Sequence, residues 1–509
     1  MGRRWLRPPL DGPDLGILAA GAAALALFIH AERRIAGHWG LPLDDSWIHL
    51  RLAANLAAGR GFGINPGEPL AASTAPLWTV ALAGLLVLGV PGLAAATTLG
   101  VACFGATGLL VRRLGRAAGL GPGLAVAAAL GSVGLARLVW GALSGMEVPL
   151  ATALVTAGAW AAVRGRAHVA ALGFGLATLA RPEAGLLVAL HALAARRFAP
   201  ALRRLGAALL VVAPQVAFSL ATVGRLVPST VAAKTTGGVI GQAEGVRAAW
   251  DVTWTVLPRY LGEWGLVLHA DHVGLIPLAA IGLIGLRGLP LGWLAAGLLV
   301  HPLAAAVVAP SQGPGFQWGR YSAHLLPLAV VVALLGLQRL GARVRAPALR
   351  AAAVGFLVLA LVAPLPAAAD GYAWAVENIN TMQVRLGRWV AGHTPPDTLI
   401  AVNDIGALTY FGDRRIVDLV GLATPEILPY RRAGAAALLG YLERRCPEYL
   451  VIFPTWFPEL AGRDDLFRPV LRVRLANNVV AGGDTMVVYE TAWHRARAGA
   501  RSPCTRPFS

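Results

Sequence analysis

The feature that most limits what this chain can fold into is a series of long apolar runs broken by short basic clusters. Leu15 to Ile35, residues 77–113, Gly123 to Leu143, Leu205 to Val223 and Ala351 to Ala369 are the clearest runs. A helix rising about 1.5 Å per residue needs about 20 apolar residues to cross a hydrocarbon layer of about 30 Å. Of the 509 residues, 56% are hydrophobic and only 14% are charged, and the mean hydropathy is +0.62. These values exclude an ordinary soluble domain and give a polytopic α-helical membrane protein. The net charge of +18 would suit nucleic acid, but much of the basic charge sits between apolar runs, where it sets topology. No groove of interleaved basic and aromatic residues is visible, so nucleic acid is not expected as a partner; the lipid bilayer is. The cysteines are Cys103, Cys446 and Cys504, with no C-x-x-C spacing for a metal. The last two can pair if their domain lies outside the cytoplasm.

In chain order, the basic start MGRRWLR reads as cytoplasmic. Leu15 to Ile35 is the first span, retained as a helix because no convincing cleavage site follows. Loop 43–76 then falls on the far side. Residues 77–113 hold two apolar pieces split at Pro91-Gly92. Two full spans would put Arg112, Arg113 and Arg116 outside, so either one piece is re-entrant or the charge rule fails. Gly123 to Leu143 leads to Glu147 at the outer boundary, and Val148 to Val163 returns. Val169 to Ala180 and Ala184 to Ala195 are each too short to cross, with Arg181, Pro182 and Glu183 between them. They form either a hairpin of half-helices with Arg181 and Glu183 at its tip, or one Pro-kinked helix whose two charges pair only with each other.

Leu205 to Val223 is a further span, followed by an outer loop carrying Lys234. Trp250 to Gly265 reads as an interfacial helix. Spans over Val273 to Leu286 and Leu291 to Ala309 precede the loop SQGPGFQWGRYSAH, which brings Gln317, Arg320, Tyr321 and His324 to the outer side. Leu325 to Leu337 and Ala351 to Ala369 complete about 10–12 membrane helices. From Asp370 onward apolar runs shorten to strand length: Leu399 to Val402, Arg415 to Val420, Tyr449 to Phe453 and Met486 to Tyr489. Thr381 to Ala391 and Ala435 to Arg445 read as helices. The expected division is a membrane domain over 1–369 and a C-terminal extracytoplasmic α/β domain over 370–509. Asn403, Asp404 and Asp418 sit at strand ends, where they either line a cleft or cap turns.

The first outer loop begins with two adjacent acids, Asp44 and Asp45. On a helix Asp44, Ile48, Arg51 and Asn55 share one face, and Asp45, Ile48, His49 and Leu52 the adjoining one. One acid suffices as a helix cap, so a pair at a membrane boundary points to a functional carboxylate. Arg51, Glu68, Glu147, Arg181, Glu183, Lys234, Arg320 and His324 come to the same side from separate loops, with Tyr321 beside Arg320. Such a set suits a site holding an anion and an acid–base group. Arg or Lys would hold a phosphate at the lipid boundary, and Lys234 and Arg320 are the candidates. A carboxylate could take the proton of an attacking hydroxyl. With a lipid phosphate leaving, an inverting displacement at a sugar carbon needs no covalent enzyme intermediate.

These motifs resemble the GT-C class of multi-spanning glycosyltransferases. The resemblance runs through Asp44-Asp45 and NLAAGRGFGINPGEPLAASTAPLW, then SGME (Ser144 to Glu147), LARPE (Leu179 to Glu183) and VPSTVAAK (Val227 to Lys234). It continues in GRYSAHLLP (Gly319 to Pro327) and NDIGALTYFGDRRIVDLVGL (Asn403 to Leu422). Protein O-mannosyltransferases, lipid A aminoarabinose transferases and mycobacterial arabinofuranosyltransferases are relatives in that class, and the last branch looks closest. The resemblance implies a polyprenyl-phosphate sugar donor, a glycan, lipid or protein acceptor of the cell envelope, and a multi-pass plasma (inner) membrane enzyme. It also implies that one acid of the pair is the base, with Asp44 favoured, and that the tail domain helps to place the acceptor. Some members carry Asp-Glu where this chain has Asp-Asp. Some members bind a divalent metal and others do not, so the resemblance leaves a metal open. A transporter, and a ligase moving a glycan from a pyrophosphate-linked lipid, are the alternatives the residues leave standing.

Overall fold

The computed structural model describes residues 10–235, 275–286, 289–308 and 316–498, together with residues 254 and 258. Most of the Trp250 to Gly265 segment, the Lys234 side chain and Cys504 lie outside the described residues. Helix α1 (Gly12–Ile35) starts at Asp11, whose carboxylate accepts the Asp14 N–H at 2.9 Å. Next come α2 (Asp44–Ala57), α3 (Pro76–Val87) and α4 (Gly92–Ala117). The 12 residues of α3 reach only about 18 Å, too short to cross a bilayer. At the end of α4, Arg112 donates to Asp11 at 2.6 Å and to Asp14 at 2.7 Å. The basic cluster therefore lies at the same end of the bundle as the start of the chain. The 12-residue α3 is the short one of the two apolar pieces.

Helices α5 (Pro122–Val133) and α6 (Ala136–Leu143) form one broken rod, bent by 54° at Gly134 and Leu135. Helix α7 (Val148–Val163) leads into α8 (Ala167–Ala180) and α9 (Gly185–Leu193). Arg181 has extended backbone (φ −148°, ψ 122°) and ends α8. His191 Nε2 lies 2.9 Å from the Ala167 carbonyl oxygen, so the end of α9 sits beside the start of α8. This is the hairpin, with Arg181, Pro182 and Glu183 at its tip. After it come α10 (Phe198–Val223) and the short α11 (Ser229–Thr235). Every residue of the helix Leu326–Gly341 from Leu326 to Gly336 is buried, as expected of a rod surrounded by other helices. Among the described residues, five helices are long and apolar enough to cross a membrane, six with the broken rod; the other apolar helices are shorter.

The change of composition at Asp370 is not a break in the chain's path. Helices Pro347–Val362, Leu365–Ile379 and Arg385–His393, joined by a π-helical turn at Asn380–Val384, carry the chain out of the apolar stretch. Tyr372 holds this path against α1, its ring 5.7 Å from that of Phe28. Beyond it lie β1 (Leu399–Val402), β2 (Arg415–Asp418), β3 (Tyr449–Ile452), β4 (Phe467–Arg474) and β5 (Thr485–Thr491). They form one sheet in the order β2-β1-β3-β5-β4. The first three strands are parallel and the last two pairings antiparallel. Ile400, Val402 and Val451 pack on one face, and Ala401, Leu450 and Ile452 on the other, so the sheet is covered on both sides.

Candidate active site

The tail domain sits on α2 and the turn that follows it. Asp44 accepts the backbone N–H groups of Gly406 and Ala407 at 2.7 and 2.8 Å, one on each carboxylate oxygen. A Cβ at position 406 would meet the Asp44 carbonyl oxygen at 2.0 Å, which is why glycine stands there. Arg51 donates to the Ile64 carbonyl at 3.1 Å and to Asp413 at 2.5 Å. Asn65 bonds both the N–H and the carbonyl of Ile416, at 2.9 and 3.1 Å. Glu68 pairs with Arg415. Asp404 accepts from Gln383 at 2.9 Å and Asn403 at 3.0 Å. Burial pushes the Asp44 carboxyl well above its usual range, and the nearby Asp404 adds to this. The same enclosure raises Asp404 to about 6. Asp418 is a turn cap: its carboxylate accepts from Val420 at 2.8 Å and Ala423 at 2.7 Å.

A cavity of about 350 Å³ opens at this same end of the bundle. Asp45 and His49 of α2 reach it from one side, and the hairpin tip and Arg320-Tyr321 from others. Asp45 Oδ2 lies 2.5 Å from Arg320 Nη2, which also donates to the Tyr321 hydroxyl at 3.1 Å. The guanidinium carbons of Arg181 and Arg320 lie 4.8 and 5.0 Å from the Tyr321 ring centre, so one ring serves two cations. Arg181 pairs with Glu147 and, at 3.2 Å, with Glu183. The other oxygen of Glu147 lies 3.1 Å from His49 Nε2, and His49 Nδ1 lies 3.3 Å from the Thr79 hydroxyl. Both guanidinium side chains are only 3–4% exposed, whereas Asp45 and Glu183 retain 27% and 26%. The cations are the more deeply buried, and these two side chains keep partial exposure.

Six of the residues singled out in the sequence thus line one cavity: Asp45, Glu147, Arg181, Glu183, Arg320 and Tyr321. Asp44 and Arg51 do not; they are spent on the tail domain. Of the acid pair, Asp45 lines the cavity and Asp44 does not. His324 is buried behind His301, the ring centres 5.6 Å apart, and only His301 reaches the cavity. Lys234 belongs to α11, which supplies Thr230 to the wall. Sequence reading gave no role to His49, Thr230 or Leu422, which also line the cavity. His49 was marked only by its place on the Asp45 face, and Thr230 only by its place in VPSTVAAK. Among the described residues no three His, Cys, Asp or Glu side chains converge as a divalent ion would need. The cavity carboxylates are each paired with a guanidinium, so the residues present do not fit such a metal.

Residues 377–499 match a family model described as a domain of unknown function (DUF8728). No curated protein sequence matches the chain. Solved structures do. ArnT from Cupriavidus metallidurans bound to undecaprenyl phosphate has a TM-score of 0.57 at 13% identity, over 93% of this chain and 97% of that one. The apo oligosaccharyltransferase of Archaeoglobus fulgidus has a TM-score of 0.53 at 13% identity, over 86% of this chain and 69% of that one. The archaeal oligosaccharyltransferase AglB from the same organism, in complex with an inhibitory peptide and a dolichol-phosphate, gives 0.52 at 12% identity, over 94% and 74%. The fold is that of the GT-C membrane glycosyltransferases, and the chain is a multi-pass membrane protein carrying a small sheet domain at its C-terminal end.

Proposed function

We propose that the protein is an inverting glycosyltransferase that moves a sugar from a polyprenyl-phosphate donor to an acceptor hydroxyl of the cell envelope. The observation that carries this reading is the cavity in which Asp45 and Arg320 face each other at 2.5 Å. Arg320 and Arg181, withdrawn from water and held by Tyr321, are suited to a phosphate group through charge-assisted hydrogen bonds. A phosphate on Arg320 competes with Asp45 for the guanidinium and leaves that carboxylate to accept a proton. The acceptor oxygen then attacks the anomeric carbon, its proton passes to Asp45, and the sugar–phosphate C–O bond breaks with its electron pair going to the phosphate oxygen. The products are an inverted glycoside and the polyprenyl phosphate. ArnT bound to undecaprenyl phosphate and AglB bound to a dolichol-phosphate support a lipid phosphate as donor carrier.

Charge favours a monophosphate over a pyrophosphate lipid. Two guanidiniums and three carboxylates line the cavity among the described residues. This set is already net negative by one, so each added negative charge weighs against binding, and a phosphodiester adds less of it than a pyrophosphate. The membrane of action is the plasma (inner) membrane, with the basic α1–α4 end cytoplasmic and the tail domain outside. The test is donor consumption by the purified chain from a monophosphate sugar lipid and from a pyrophosphate glycan lipid. Consumption of the first alone is expected; consumption of the second alone would make the protein a ligase.

A further inference from the structure

Buried polar atoms normally have partners, and one left without costs about 1–3 kcal/mol. The cavity holds several that have none within the protein. The Thr230 hydroxyl is buried and unpartnered, with the residue only 7% exposed. Glu183 spends Oε1 on Arg181 and leaves Oε2 buried without a donor. Both residues line the cavity, together with the hydroxyl residues Ser73 and Thr74 and the apolar Leu422. This wall is built rigidly. Ser229, fully buried, donates its N–H to Ala71 at 3.0 Å and its hydroxyl to the Leu422 carbonyl at 2.6 Å. One residue thus ties α11 to the first loop and to the tail domain, immediately before Thr230. The Leu422 turn is itself held by the Asp418 carboxylate through Val420 and Ala423.

We infer that Thr230 and Glu183, against Leu422, form the subsite for the sugar of the lipid donor, and that this subsite selects an uncharged sugar over a uronic acid. The inference rests on the proposed lipid-phosphate donor. A hydroxyl and a carboxylate oxygen without partners match the hydroxyl groups of a sugar, one donating or accepting and the other accepting. Leu422 offers an apolar surface to a ring face. Asp45, Glu147 and Glu183 already place three carboxylates around the cavity, so a sugar carboxylate meets like charge. The phosphate is left to Arg320 and Arg181, so lipid recognition and sugar recognition fall on different residues.

The test is equilibrium binding to the purified full chain of undecaprenyl phosphate and of its mannosyl, arabinofuranosyl and glucuronyl esters. In the wild type the better of the two uncharged esters should bind about three- to ten-fold tighter than the bare lipid phosphate, the range of about one net hydrogen bond. Thr230→Val should lower that ratio by about two-fold or more, and Thr230→Ser, which keeps the hydroxyl, should restore it. Glu183→Gln should let the glucuronyl ester bind better than it does to the wild type. A ratio of one in the wild type, a ratio unchanged in Thr230→Val, or a glucuronyl ester preferred by the wild type would overturn the subsite. Absence of binding by bare undecaprenyl phosphate would instead overturn the donor reading, and the subsite with it.

Discussion

Two ionic clusters stand at opposite ends of this bundle, and both are made of arginine and carboxylate. At the start of the chain Arg112 bridges Asp11 and Asp14, with Asp11 52% exposed. At the tail-domain end Arg181 and Arg320 are 3–4% exposed and surround a cavity with Asp45, Glu147 and Glu183. In the first cluster the Arg112–Asp11 pairing is half solvated, and such pairs contribute about 0–1 kcal/mol, whereas Asp14 beside it is buried. The second removes two guanidiniums from water, which is costly unless every group is matched, and it leaves buried polar atoms over. The difference teaches where to look for chemistry: not where charges meet, but where buried charges meet around a space.

The comparison can be broken by substitution, and the largest effect is expected inside the cavity. Arg181→Ala takes the guanidinium from Glu147 and Glu183 and should cost about 3–5 kcal/mol, read as a fall in unfolding temperature or loss of folded protein. A variant of normal stability would show that the buried network is not structural. Arg320→Lys keeps the charge but not the planar fork; donor KM should rise about ten-fold with a smaller change in kcat. An unchanged donor response would remove Arg320 from the phosphate site. Asp44→Asn can accept only one of the two N–H bonds from Gly406 and Ala407, so it should loosen the tail domain by about 1–3 kcal/mol. Protease nicking of the tail measures this.

The pH dependence has a definite sign. Asp404 is raised to about 6 when folded, so between its ordinary value near 3.8 and 6 the native state binds the proton more than the unfolded one. Stability contributed by this group is therefore present at low pH and lost as pH rises through 6. Unfolding followed from about pH 4.5 to 7.5 should show the decline, and Asp404→Asn should lessen it, Asp418, also raised to about 6, keeping the rest; a stability that rises with pH over that window would reverse the assignment. At the other end Arg112→Gln should destabilise less than Arg181→Ala, because one of its two partners, Asp11, is half exposed, and should leave transfer intact.

Much of this was legible in the sequence because it is local. The half-helices around Arg181 follow from run length, four of the five strands follow from short apolar runs, and the α2 face pattern follows from period. Strand β4 was missed because its residues Arg468, Arg472 and Arg474 make it read as a basic loop, and the structure exposes most of that strand. The roles of Asp44 and Asp45 were not legible. They differ by contacts to Gly406 and Arg320, hundreds of residues away, and neighbouring helix positions point about 100° apart. Thr230 was hidden for the same reason: a hydroxyl without a partner is visible only when its surroundings are.

The central claim is that Asp45, not Asp44, is the group that takes the acceptor's proton. The most direct test is sugar transfer from a panel of polyprenyl-phosphate sugars by wild type, Asp45→Asn and Asp44→Asn, each corrected for the folded fraction. The account predicts that Asp45→Asn loses about 10²–10⁴-fold in kcat while Asp44→Asn turns over within a few-fold of wild type. Loss in Asp44→Asn with normal turnover in Asp45→Asn would contradict it.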